Sequence, residues 1–178
     1  MKYSSNVSAV KQRIRRLPKI AIDVIQTSRK KDAQKCIEYW RSGLLNDEFK
    51  LTPLAPSTIK KKIKLGYSKP TNPLYGLGMD GAHTYIKGLR MFRTKNGYVI
   101  RMVGKHHDSK IDNHGLLMIH EYGCTTKHGR IPARPALNLA YRKTINELKK
   151  RDAMIVDAIN KLLKTGNDSL LQEIKNRL

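Results

Sequence analysis

From Leu137 onward the chain places an apolar side chain at intervals of three, four or seven: Leu137, Tyr141, Ile145, Leu148, Ile155, Ile159 and Leu162. Such intervals keep one helical face apolar over many turns. Nearly every position between them is Lys, Arg, Asn or Glu. The pattern predicts a long amphipathic helix opening just after Pro135, a residue that suits a first helical turn. A second row starts near Ser4 and Ser5, either of which can cap it, and places Val7, Val10, Ile14 and Leu17 together. Pro18 is expected to interrupt or kink that row. It resumes through about Ser42 with Ile22, Ile25, Ala33, Cys36, Ile37, Trp40 and Leu44, and Gly43 is the expected stop.

Between these helices the apolar stretches are short. Leu51–Thr58 reads as a loop leading into Ile59–Leu65, closed by Gly66. Tyr67–Gly81 is dense in Gly and Pro and reads as a long irregular loop. Tyr85, Ile86 and Leu89, joined by Met79, predict a short helix ending near Arg93. Asn96-Gly97 marks a turn, and Tyr98–Gly104 has the β-branched look of a strand. Its expected partners lie near Cys124–Thr126 and in Arg130–Arg134. A polar loop, Lys105–Asn113, precedes Leu116–Gly123, an apolar turn or short helix stopping at Gly123. Thr165–Ser169 is a break before a last helix that groups Leu170, Leu171, Ile174 and Leu178. The chain has neither an internal repeat nor a low-complexity segment.

One stretch departs from both periods: Gly129-Arg130-Ile131-Pro132-Ala133-Arg134-Pro135-Ala136-Leu137. Two prolines three residues apart exclude a central strand or a helix interior, and each pushes the residue before it toward extended geometry. The chain must pass here as a stiff arm with a guanidinium on either side of Pro132. An arm of that kind feeding a long amphipathic helix suits assembly better than catalysis.

At 178 residues the chain fits one domain, with an N-terminal helical part over 1–45, a loop-rich α/β core over 46–135 and C-terminal helices over 136–178. Its formal charge of +22 is extreme for that length. Self-repulsion on this scale weakens a compact monomer, and a polyanion or an acidic protein surface relieves it. Nucleic acid is the first partner this implies. A hydrophobic fraction of 39% predicts a modest core that neighbouring subunits help to complete. No run reaches the ~18 apolar residues of a membrane span, and the N-terminus lacks the pattern of a secretory signal. Cys36 and Cys124 stand far apart and match no metal or redox spacing, which suggests a reducing compartment, the cytoplasm at synthesis.

His106, His107, His114, His120 and His128 cluster in one quarter of the chain near Asp108, Asp112 and Glu121. A metal or nuclease centre needs such ligands converging from fixed elements. No pair has HxxxH or HxH spacing, and His120-Glu121 lacks the second histidine of HExxH. Pairing Cys124 with His120 or His128 would give a nucleophile and a base but no recognisable orienting group. No catalytic residue, metal or cofactor is therefore expected. His120-Glu121-Tyr122-Gly123 reads first as a helix end whose polar groups serve local hydrogen bonds.

Several segments, in this order, resemble the tailed-phage tail-completion or neck proteins, the family of lambda minor tail protein Z and the Mu-type virion morphogenesis proteins. They are Trp40 late in a long helix, Leu54-Ala55-Pro56-Ser57-Thr58 and Pro73-Leu74-Tyr75-Gly76-Leu77-Gly78. Ile119-His120-Glu121-Tyr122-Gly123 and the Arg130–Leu137 run complete the set. The resemblance covers roughly residues 35 to 145 and is most specific where Ile-Pro-Ala-Arg-Pro follows His-Glu-Tyr-Gly. It implies an α+β fold with a small, mostly antiparallel sheet flanked by a long N-terminal and a long C-terminal helix. It also implies a homo-oligomeric, hexameric ring at the head–tail junction of a virion. Such a ring sits between a tail terminator or tail tube protein and a head-completion or connector protein, and genome DNA passes through it.

On this expectation Arg130, Ile131, Pro132, Ala133, Arg134 and Pro135 form a subunit interface or lie against the sheet. Lys60, Lys61, Lys62 and Lys64, with Arg29, Lys30 and Lys31, face DNA or an acidic partner. Diffuse positive charge suits DNA that threads without being read, although basic stretches are also often no more than solvated faces. Two other functions fit the residues: a free basic nucleic-acid-binding protein, and a nuclease built on the histidines.

Overall fold

In a computed structural model, described over residues 4–74, 84–95, 97–104, 111–127, 129–165 and 169–178, these patterns become helices and antiparallel hairpins. In chain order the elements are α1 (Ser4–Leu45), α2 (Pro56–Lys64), α3 (Thr84–Gly88), β1 (Leu89–Thr94) and β2 (Gly97–Met102). There follow α4 (Asn113–Tyr122), β3 (Cys124–Thr126), β4 (Gly129–Ile131), α5 (Ala136–Thr165) and α6 (Ser169–Arg177). The class is α+β, with long helices toward both ends.

Three local expectations are corrected. The helix does not break at Pro18: α1 runs unbroken from Ser4 to Leu45. A proline removes one backbone donor and crowds one carbonyl, and the apolar row continuing beyond it keeps the helix going. Gly43 does not stop α1 either. A Cβ there would fall 2.2 Å from the Phe49 ring, so the glycine makes room for an aromatic side chain. The short helix around Tyr85 ends at Gly88, and Leu89–Thr94 is a strand. Gly88 permits the switch because a Cβ would meet the Val103 carbonyl at 2.6 Å, and that close backbone approach lets Val103 N donate to Gly88 O at 2.8 Å.

Strand pairing differs accordingly. β1 pairs antiparallel with β2, Leu89 opposite Met102 and Thr94 opposite Gly97. The segments expected to flank β2 pair with each other instead, Cys124 opposite Ile131 and Thr126 opposite Gly129. Among the described residues the result is two separate two-stranded sheets. The loop from Tyr75 to Gly81 and the polar loop at 105–110 lie outside the described residues.

Where the sequence suggests three consecutive parts, the contacts gather into two compact units, Met1–Asp32 with Ile145–Leu178, and Ala33–Thr144. The core of the first joins Val24 to Ile155, Ala158, Leu162, Leu171 and Ile174. Beside it Asp32, buried, is hydrogen-bonded by Arg151, while Arg29 bonds Asp152 at 3.0 Å. Burial pushes the Asp32 carboxyl above its ordinary range, and the two guanidiniums pull it back.

The core of the second unit is built on Trp40, Leu44, Tyr85, Leu89, Leu117 and Ala140. The Trp40 and Tyr85 rings lie 5.6 Å apart, and Tyr85 meets His120 edge-on at 6.2 Å. Arg41 Nη2 donates to Leu89 O at 3.3 Å and ties α1 to β1. The Asp112 carboxylate accepts from Gly115 N at 2.7 Å and caps α4. Cys36 is a buried core thiol, raised by burial and bonded to Thr144.

Candidate functional site

The proline-rich arm is fastened to the rest of its chain on two sides. Prolines withhold N–H donors, so a stretch rich in them leaves carbonyls that need donors from elsewhere. The segment Thr52–Ala55 and the arm meet that need for each other. Arg134 Nε donates to Thr52 O at 2.8 Å and its Nη2 to Pro53 O at 3.0 Å, while Thr52 Oγ1 donates to Ala133 O at 3.1 Å. Arg134 is 5% exposed, and its charge is met by carbonyl dipoles.

On the other side the arm lies against the end of α4. Arg134 N donates to His120 O. Gly123 ends α4 at φ +73, where a Cβ would meet Ile131 O at 2.8 Å and Ala133 N at 3.0 Å. Only a residue without a side chain lets the backbones approach this closely. Glu121, the penultimate residue of α4, then accepts the N–H groups of Leu137 and Asn138 at the start of α5. Burial raises its carboxyl above the ordinary range, and these two N–H groups oppose that rise.

Between the 52–58 segment, α2 and the arm opens a cavity of about 490 Å³. Pro53, Leu54, Leu74, Ile131 and Pro132 supply apolar wall, and Lys62, Arg134, Arg130 and His120 supply the polar groups. None of the described lining residues is acidic. Lys62, 9% exposed, donates from Nζ to Asn72 O at 2.8 Å. Burial and then the nearby Arg134 push its amine down to about 8. The same two causes push the His120 imidazole down to about 4, so it is neutral at ordinary pH. His120 Nδ1 is buried without a hydrogen-bond partner.

The residues expected to form an interface thus divide. Arg130 and Ala133 are exposed, and Ile131, Pro132 and Pro135 are half-buried. Arg134 turns inward and binds its own chain. The basic residues divide as well. Lys60, Lys61 and Lys64 are exposed, whereas Lys62 is buried and does not face outward as expected. Helix geometry explains the split: Lys62 shares a face with Thr58 and Ile59, and that face looks toward the cavity. In the other unit Lys30 and Lys31 are exposed, but Arg29 is half-buried and paired with Asp152.

Of the histidine cluster, His114 is exposed and His120 is half-buried, edge-on to the core residue Tyr85. His106, His107 and His128 lie outside the described residues. Among the described residues no group of three His, Cys, Asp or Glu side chains is placed to hold a metal ion, and no helix is long and apolar enough to cross a membrane. The cavity itself is not legible in the sequence as a site. The one signal is that two proline-rich runs, Thr52–Pro56 and Ile131–Pro135, are present and that the second carries an arginine, Arg134, which donates to carbonyls of the first.

Compared with family models, with curated proteins and with solved structures, the chain matches none.

Proposed function

We propose that this chain is a structural virion protein that completes a phage tail and assembles as a ring at the head–tail junction, with genome DNA passing through the lumen. One observation carries the reading. The two segments with the most specific resemblance, Ile119–Gly123 and Arg130–Leu137, form a single joint, linked by Arg134 N to His120 O and by Glu121 to the start of α5. Segments that build one joint are better read as one motif than as two coincidences.

In this reading the arm meets the next subunit through Ala133 and Pro135, which lie outside the cavity lining. Arg134 stiffens the arm from within. The exposed lysines of α2, with Lys30 and Lys31 of α1, face DNA or an acidic neighbouring ring. A charge of +22 suits a surface that neutralises phosphates without reading bases. The neighbours are a tail terminator or tail tube protein on one side and a head-completion or connector protein on the other.

Negative-stain images of the purified protein, scored for rings, test this reading. So does a deletion strain, which should accumulate tails and filled heads that do not join. Protein that stays monomeric, together with normal joining in the deletion strain, defeats it. The exposed lysines of α2 favour one other reading, a free nucleic-acid-binding protein. Tight, steeply salt-dependent binding of duplex DNA by the monomer would select that alternative.

A further inference from the structure

We infer that the cavity between the 52–58 segment, α2 and the arm receives a carboxylate side chain carried on an extended acidic segment of a partner protein. The inference rests on the reading of the chain as an assembly component and names the chemistry of its neighbour. Four observations lead to it. The cavity, at about 490 Å³, is large enough for a few side chains of an extended segment and does not admit a duplex. Its walls are apolar at Pro53, Leu54, Leu74 and Pro132, which suits a carboxylate flanked by hydrocarbon better than a hydrated phosphodiester.

Its polar end carries the Lys62 amine and the Arg134 guanidinium, with Arg130 beside them and no acid among the described lining residues. An incoming carboxylate would complement these cationic groups. Finally, β4 lines the cavity through Arg130 and Ile131 and, among the described residues, pairs only with β3. An extended segment adding beside β4 would turn alternate side chains to one face. The chain's own excess of +22 makes an acidic partner the complementary one.

The test uses the full-length protein labelled with ¹⁵N. It is titrated with a short peptide of alternating valine and glutamate and with the matching valine–glutamine peptide. Inorganic phosphate and a short DNA duplex form two further arms. The glutamate peptide is expected to shift the amide signals of Gly129, Arg130 and Ile131 and to bind about tenfold or more tightly than its glutamine counterpart. Lys62→Met should erase that preference, and Leu54→Trp, which fills the cavity, should abolish binding. Lys150→Met removes one exposed charge from α5 and should leave binding unchanged.

Equal binding of the two peptides would overturn the inference, as would equal loss in Lys150→Met. Displacement of the peptide from the same amides by phosphate or duplex at equal concentration would do so too. Light scattering on the same samples keeps the two proposals apart. A monomer that binds the glutamate peptide defeats only the ring, and a ring that ignores the peptide defeats only the receptor.

Discussion

Glu121 holds the first turn of α5 through Leu137, whose N–H reaches Oε1 at 2.6 Å, while Oε2 takes the N–H of Asn138 at 3.2 Å. A helix that follows two prolines opens with unsatisfied donors, and here the donors are met by a carboxylate from another helix. The same residue is therefore the end of α4 and the cap of α5. The direction in which the arm leaves one helix and enters the next depends on it.

Glu121→Ala should cost about 1–2 kcal/mol, the loss of a charged cap together with two N–H groups left without it. Glu121→Gln keeps one acceptor oxygen and should recover part of that loss. Urea unfolding of the three proteins measures both. Indistinguishable midpoints would show that the cap contributes nothing.

Gly123→Ala should be more damaging than Gly66→Ala. Both glycines have positive φ, but a Cβ at Gly123 runs into the backbone of Ile131 and Ala133, and one at Gly66 meets nothing within 4 Å. The expected costs are about 2–3 kcal/mol at Gly123, where strain and clash add, and about 1 kcal/mol at Gly66. Thermal unfolding of the pair decides it, and equal shifts would contradict the close approach of the arm.

Stability should fall in acid through His120. Its folded-state value of about 4 lies below the ordinary 6.5 because burial and Arg134 oppose the charge. Between those values the unfolded chain binds more protons than the folded one, so the contribution is complete above pH 6.5 and is lost as pH falls toward 4. The amount is on the order of 2–3 kcal/mol. Unfolding free energies at pH 7, 5.5 and 4.5 trace the loss. A His120→Gln protein should show a flatter profile over the same window, and an unchanged slope would count against this assignment.

The lysines of α2 should differ in their effect on DNA. Removing Lys60, Lys61 and Lys64 together by alanine should lower the slope of log K against log salt by about 2–3 for duplex DNA. Lys62→Met should leave that slope where it is, because the Lys62 amine is buried against Asn72 O. Fluorescence anisotropy at several salt concentrations gives the slopes. A drop in Lys62→Met as large as the share of one exposed lysine would contradict the division.

Both long helices, the end of α4 at Gly123 and the stiffness of the 130–135 arm are properties of sequence. They follow from local rules: apolar spacing fixes which face is buried, glycine supplies positive φ, and proline fixes its own φ and restricts its predecessor. Tertiary structure decided the rest. Tyr85, Ile86 and Leu89 have helical spacing, yet Leu89 begins a strand, because Gly88 lets Val103 approach and the hairpin that follows pairs β1 along its whole length. All four lysines of α2 are expected to face a partner, yet Lys62 is buried while the aliphatic Ile63 beside it is 60% exposed. Asn72 supplies a carbonyl for the amine, and no local pattern in residues 59–65 announces a carbonyl that arrives from ten residues on. Arg134 likewise reads as one of two equivalent arm arginines until Thr52 and Pro53 present their carbonyls from more than eighty residues away. Spacing and φ are set by neighbours in the chain, whereas the burial of a charge depends on which distant groups are there to receive it.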